Sequence, residues 1–194
     1  LFAHKFAEEV EWLSNGSIHM QVYENGTLGS ERELIESCMG QDIPFVLQNT
    51  APQTNFMSKL AIFDLPVAYT DIKELRNTLD DPDLMSMINK VYREKGFRLL
   101  AMGDQSFRVM TTNRKIQSID DFKGQKIRTM ENPYHIAFWQ SIDANPTPMT
   151  FSEVYIGLQQ GTIDAQENPY EVVVSGKIYE QQDYIVQTNH LPHL

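Results

Sequence analysis

Residues 126–169 read KIRTMENPYHIAFWQSIDANPTPMTFSEVYIGLQQGTIDAQENP, and their periodicity decides the fold. Lys126 to Met130 alternates about Arg128 as a strand does, and Pro133 opens a helix that runs to Ile142. After Pro146-Thr147-Pro148-Met149, the residues Phe151, Val154, Tyr155 and Leu158 return on one helical face, and Gly161 stops that helix. A strand over Ile163 to Gln166 and a further helix after Pro169 complete the stretch. Strands that alternate with helices imply an α/β fold, a mostly parallel sheet with helices on both faces. Open sheets of this kind bind ligands at the carboxyl ends of their strands.

Upstream, a short helix is expected near Asp120 to Phe122, with strand-like runs at Phe107 to Thr111 and Phe97 to Met102 separated by Gly103-Asp104. Asp81 to Glu94 predicts a helix with Pro82 in its first turn and Leu84, Ile88, Val91 and Tyr92 on one face. Its acids Asp80, Asp81 and Asp83 read as capping chemistry, because Pro82 interrupts them and no calcium-loop spacing is present. Ile43 to Leu47 is a short apolar run of the buried-strand type. Ser30 with Glu33 is a capping-box signature before a helix carrying Leu34, Ile35, Cys38 and Met39. Ile18, Met20 and Val22 alternate as a strand, and Phe2, Phe6, Val10 and Leu13 recur as a helix. The first residue is Leu, inside that helical pattern, so the start of the protein is expected further upstream.

The charge balance of 16 basic against 26 acidic residues gives −10, the wrong sign for a nucleic-acid surface. No apolar stretch approaches the roughly 20 residues of a membrane-spanning helix. Cys38 is the one cysteine, so it forms no internal disulfide, and it reads as a core residue rather than a nucleophile. No metal site or cofactor is expected: phosphate-cradling glycine motifs and a Gly-x-Ser-x-Gly elbow are absent, and Pro192 disrupts the helical geometry of His190-x-x-His193. Surface or capping roles are expected for His4, His19, His135, His190 and His193. Glu153 and Glu167 are a conceivable acid/base pair, but Glu153 also suits the first turn of its helix.

Arg108 and Arg128 each lie in a strand-like run beside apolar residues, Phe107-Arg108-Val109 and Ile127-Arg128-Thr129. A buried guanidinium needs an internal acid or a bound anion, since an unpaired buried charge costs several kcal/mol. The planar fork of Arg matches a carboxylate through two parallel hydrogen bonds. An anion clamp and an internal salt bridge are equally compatible with either arginine.

These arginines fall within a longer series: Phe107-Arg108-x-x-Thr111-Thr112-Asn113, Lys126-Ile127-Arg128, Asn145-Pro146-Thr147-Pro148-Met149, Phe151-Ser152-Glu153-Val154-Tyr155 and Asp164-Ala165-Gln166-Glu167-Asn168-Pro169. Gly26-Thr27-Leu28-Gly29, Phe63-Asp64-Leu65-Pro66 and Thr188-Asn189-His190 extend it to almost the whole chain. The series resembles the DctP-type substrate-binding subunits of tripartite ATP-independent periplasmic (TRAP) transporters. That resemblance implies a two-lobed, periplasmic-binding-protein-like fold, with an N-terminal lobe over 1–105 and a C-terminal lobe over 106–194. It also implies a strand before the first helix and long helices after the last residue, both outside this chain.

By the same resemblance the protein is a periplasmic binder and no enzyme, a monomer that captures an organic acid and delivers it to membrane permease subunits. Arg128 becomes the principal carboxylate clamp and Arg108 a second contact. Asn168 becomes a hydrogen-bond donor to the same carboxylate, Glu167 a partner for the arginine or a ligand hydroxyl, and Phe151 an apolar wall. Gln48 stands where sialic-acid-binding relatives carry an acid, and Glu131 where they carry a small amide. Both departures imply a different ligand, and Glu131 would repel a second carboxylate, which favours a sugar acid or hydroxy acid over a C4-dicarboxylate. Competing readings are a carboxylate-processing enzyme using Glu153 or Glu167 as base, and a sensor module that uses the same cleft.

Overall fold

A computed structural model describes residues 2–194. The chain divides into two compact units, Leu1–Gln48 and Asn49–Leu194. The first contains helix α1 (Phe2–Leu13) and helix α2 (Glu31–Met39). Helix α2 begins with the expected capping box: Ser30 N–H donates to Glu33 Oε2 at 2.7 Å, and Glu33 N–H returns to Ser30 Oγ at 3.4 Å. Ile35 is its buried residue, Leu34 and Cys38 are half-buried, and Met39 is exposed. In α1 the inward face is narrower than its periodicity suggests. Ala7 is buried and Phe6 meets Phe45 edge-on at 5.8 Å, whereas Phe2 and Leu13 are exposed.

In the second unit come the short helix α3 (Thr50–Gln53), α4 (Ile72–Leu79) and α5 (Pro82–Arg93). Asp81 accepts from the backbone N–H groups of Asp83 and Leu84, so the acid run caps α5 as its position suggests. Ile88, Val91 and Tyr92 of α5 pack on Met57, Leu60 and Phe63 to form one core. The runs Ile18 to Val22, Ile43 to Leu47 and Phe97 to Met102 are irregular rather than strands. Alternation shows which side chains would share a face, but a strand exists only where a neighbour supplies backbone partners.

The sheet is built from β1 (Val109–Thr112), β2 (Lys126–Thr129), β3 (Asn145–Pro148), β4 (Ala165–Asn168) and β5 (Tyr184–Val186), in the order β3-β2-β4-β1-β5. β2 is parallel to both β3 and β4, and β1 runs antiparallel between β4 and β5, so four of the five strands share one direction. β3 is made of Asn-Pro-Thr-Pro, which two prolines make improbable as an inner strand; it lies at the edge, where missing donors do no harm. Helix α6 (Pro133–Ser141) joins β2 to β3, and α7 (Phe151–Gln159) joins β3 to β4 across β2. Travel across the sheet therefore reverses at β3, and right-handed crossovers that run opposite ways place α6 and α7 on opposite faces. Helix α8 (Tyr170–Ser175) follows β4. Among the described residues no helix is long and apolar enough to cross a membrane.

On one face Met110, Ile127 and Ala165 pack with Trp139 of α6, and beneath α7 Val154, Leu158 and Ile163 pack with Val173. Gly157 lies mid-helix in α7, where a Cβ would stand 3.2 Å from Ile163 and 3.3 Å from Met149 Sδ. Alanine gains about 1 kcal/mol over glycine in an open helix, but overpacking a core costs about 1–3 kcal/mol. Gly157→Ala should therefore lower the melting temperature despite its better helix propensity. A raised melting temperature would show that this core yields.

Candidate functional site

Ile127 and Arg128 are adjacent in β2 and so face opposite sides of the sheet. Ile127 enters the core with Trp139, while Arg128 turns to the other face. There its Nε donates to the Met149 carbonyl at 2.8 Å, and its guanidinium lies 5.9 Å from the centre of the Phe151 ring. Arg128 is 1% exposed and Phe151 37% exposed, so the cation is enclosed while the ring keeps an open side. β4 runs beside β2 with Gln166 paired to Arg128, which puts Asn168 two residues further along on the same face, at the carboxyl end of the strand. These are the strand ends at which an α/β sheet holds its ligands.

Asn168 is fixed on two sides: Arg108 Nη2 donates to its Oδ1 at 3.0 Å, and its Nδ2 donates to Gln166 Oε1 at 2.6 Å. Gln166 Nε2 continues to Thr111 Oγ1 at 2.9 Å, so the relay crosses to β1. An amide nitrogen carries two hydrogens, and this pattern commits only one of the Asn168 pair within the relay.

Arg108 plays a different part from Arg128. It lies just outside β1, between that strand and the isolated bridge from Phe107 to Pro192, rather than within a continuous strand. Its side chain is fully buried. Nε and Nη2 bond the Glu167 carboxylate, Nη2 also reaches the Glu167 carbonyl, and Nη1 bonds Nδ1 of His193. The internal salt bridge that the sequence left open is the arrangement observed for Arg108.

Glu167 also accepts from His190 Nε2 at 3.1 Å. Burial alone would push its pKa up, but Arg108 and His190 together outweigh that and hold the carboxyl far below its ordinary range. Burial pushes both histidines down, His193 well below the ordinary imidazole value with Arg108 adding to the effect. A guanidinium only donates, so His193 Nδ1 is the acceptor and its proton is on Nε2. A carboxylate only accepts, so neutral His190 carries its proton on Nε2 and takes the Thr188 hydroxyl on Nδ1, at 2.9 Å. Phe138 stacks on the His190 ring at 5.2 Å and Trp139 meets it edge-on at 5.1 Å.

This corrects the surface or capping roles expected for three histidines. His190, His193 and His135 are all buried, the last paired with Asp64 at 3.1 Å. Their partners lie far away in the chain, where local periodicity has no view of them. His4 and His19 are exposed beside Glu24 and Glu11. Sequence reasoning also passed over Asn132, whose Oδ1 accepts from Tyr134 and His135 N–H while Nδ2 donates to Ala51 O and Thr54 Oγ1, both at 3.1 Å. The Asn-Pro step before a helical run was the available signal.

Glu131 is exposed, and its carbonyl accepts from Asn55 Nδ2 at 2.7 Å. Gln48 ends the first unit, where its Nε2 donates to the Glu31 carbonyl at 2.6 Å; any part it takes in a ligand site rests on the resemblance. Glu153 is exposed and accepts from Thr150 Oγ1 at 2.9 Å at the start of α7. It thus serves the helix terminus, while Glu167 is held ionised inside an ion pair. Burial pushes the Cys38 thiol up, which keeps it protonated and weakly nucleophilic.

The buried histidines make stability depend on pH with a definite sign. Their folded pKa values lie below the unfolded value, so on acidification the unfolded chain binds protons that the folded chain refuses. For His193 this removes about 1.4 kcal/mol per pH unit below roughly 6.5 until its folded pKa is reached, and Glu167 adds a further loss below about pH 4.5. Urea midpoints should be level above pH 7 and fall by pH 5.5. His193→Gln, which keeps an acceptor for Arg108, should flatten that fall, and an unchanged midpoint between pH 7.5 and 5.5 would refute this account.

Comparison with known proteins bears on the chain as a whole. The profile of the bacterial extracellular solute-binding proteins, family 7 (DctP), matches residues 1–193. A solute-binding protein of Verminephrobacter eiseniae is 37% identical over 187 residues, covering 96% of this chain and 56% of that protein. The structure of a TRAP periplasmic solute-binding protein from Polaromonas sp. JS666, bound to D-erythronate, superposes with a TM-score of 0.94 at 34% identity, covering 98% of this chain and 63% of that one. A TRAP periplasmic solute-binding protein from Bordetella bronchispeptica, with density interpreted as pantoate, gives 0.93 at 39% identity, covering 98% and 64%. The chain thus spans somewhat over half the length of the relatives it matches, and it belongs to the DctP family of bacterial extracellular solute-binding proteins.

Proposed function

We propose that the protein of which this chain is part is the extracytoplasmic solute-binding subunit of a TRAP transporter. On this reading it captures an organic acid without chemical change and passes it to membrane permease subunits. The observation that carries the proposal is the placement of Arg128: a buried guanidinium at the carboxyl end of β2, on the face that also holds Asn168, with the Phe151 ring beside it. The expected lobes, 1–105 and 106–194, belong to the same proposal, as does a monomeric state.

The bonding pattern specifies how an acid would bind. The carboxylate is received by the Arg128 guanidinium, whose Nε also donates to the Met149 carbonyl. The second hydrogen of Asn168 Nδ2 is directed to the same carboxylate. Arg108, held by Glu167 and His193, contributes by fixing the Asn168 amide rather than by facing the solute itself. Phe151 supplies an apolar wall. One clamp suits one carboxylate, and Glu131 disfavours a second, so the ligand class is a hydroxylated monocarboxylate. D-erythronate and pantoate, found with the two similar structures, are both of that class.

Calorimetric titration of the full-length protein with D-erythronate, pantoate, D-galacturonate and succinate tests this. Heat is expected from one or more hydroxy acids and little from succinate. Arg128→Ala should abolish binding, and Arg128→Lys should weaken it by about 10- to 100-fold, the loss of one charge-assisted hydrogen bond's worth of about 1.5–3 kcal/mol. Undiminished affinity in Arg128→Ala would overturn the clamp. Recovery of a chemically altered acid, prevented by Glu167→Gln, would instead favour the enzyme reading.

A further inference from the structure

Gly176 caps the C-terminus of α8 with φ −82° and ψ 1°, a conformation open to every L-residue, and its N–H bonds the Val172 carbonyl at 2.9 Å. Backbone geometry therefore gives no reason for glycine here. The space does: a Cβ at this position would stand 3.0 Å from the Val172 carbonyl oxygen, 3.3 Å from Cζ of Phe151 and 3.6 Å from Ile178 Cγ1. Cζ is the tip of the same ring that lies beside Arg128. That ring is carried by the first residue of α7, whose backbone is fixed by the helix. Displacing the tip then swings the whole ring about χ1 and changes where it lies beside the guanidinium.

We infer that Gly176 is a positioning residue: by lacking a side chain it lets the Phe151 ring settle against the end of α8, and so sets the apolar wall beside the Arg128 clamp. This inference rests on the ligand reading above and deepens it. Gly176 touches no bound solute on this account; it acts through Phe151. A Cβ would displace the ring relative to Arg128, whereas removing the ring would take away that contact of the same Cβ and leave its approach to the Val172 carbonyl.

The test has a structural arm and a binding arm. The Arg128 Nε–H resonance, followed by NMR, feels the ring current of Phe151, and Phe151→Leu measures that contribution. Gly176→Ala should shift this resonance, and an unmoved resonance would overturn the inference whatever the ligand. In the binding arm, titration with D-erythronate and pantoate should show about tenfold weaker binding for Gly176→Ala. In the Phe151→Ala background the same substitution should have no further effect on affinity. Equal losses in both backgrounds would assign Gly176 a merely structural role and overturn the inference. Should Gly176→Ala alone fold poorly, recovery of folding in the double variant supports action through the ring, and failure to recover points to the Val172 carbonyl instead. Intact binding in Arg128→Ala would overturn the clamp reading, leaving the resonance shift to decide the positioning claim separately.

Discussion

A guanidinium and a carboxylate removed entirely from water must be bonded at every polar atom, and the Arg108–Glu167 pair imposes that demand on the residues around it. Breaking such a pair by removing one partner costs about 3–5 kcal/mol, because the other charge is left uncompensated. The remaining donors of Arg108 are taken by His193 and Asn168, and the remaining acceptor capacity of Glu167 by His190. Each of those residues is thereby fixed in turn: two imidazoles in a defined tautomer, one amide in a defined flip. The segment that carries both histidines is tied to β4 by the bond from His190 to Glu167, and to the residue before β1 by His193 and by the backbone bond from Arg108 N–H to the Leu191 carbonyl.

The sheet converts this interior constraint into an orientation on its other face. Glu167 and Asn168 are consecutive and so point opposite ways, yet Arg108 bonds both, reaching the carboxylate on one side of β4 and the amide on the other. Ile127 and Arg128 repeat the division in β2, with the apolar residue in the α6 core and the cation beneath the start of α7. A buried ion pair of this kind is weak evidence of extra stability, since a well-packed apolar cluster often does as well. What it supplies is a direction for Asn168 that no apolar substitute would give.

How far this was legible in the sequence follows from the range of the forces involved. The succession β2, α6, α7, β4 and α8 could be read because caps, breakers and periodicity act within a few residues, as do the capping box at Ser30 and the proline start at Pro82. The runs at Ile18, Ile43 and Phe97 carried the same alternation without becoming strands, because pairing depends on a distant backbone that the local pattern does not contain. β3 was missed for the converse reason: its prolines argue against a strand everywhere except at an edge. The two arginines were singled out as needing partners, but the internal acid of Arg108 was settled only by the antiparallel register of β1 and β4, which brings position 108 to the end of the strand bearing Glu167. The burial of His135, His190 and His193 was invisible for the same reason.

The geometry also separates affinity from discrimination. If Arg128 holds the solute as proposed, a charge-assisted, bidentate pair recognises the carboxylate, and every member of the organic-acid class offers one. On the proposed reading, choice among acids must come from what surrounds the clamp. An apolar wall distinguishes solutes weakly, since a methylene in or out of such a pocket changes binding by only about 1–3 kcal/mol, whereas a polar group left unpaired by the wrong solute discriminates far more strongly. Selectivity for hydroxylated acids is thus assigned to polar side chains and the clamp supplies the common anchor. On the same proposed reading Phe151 has a third part: it limits where the carbon skeleton beyond the carboxylate can run, and so decides which polar groups a solute meets at all. A ring has that influence only if its own position is fixed, which is why residues that never touch the solute belong to the account of specificity.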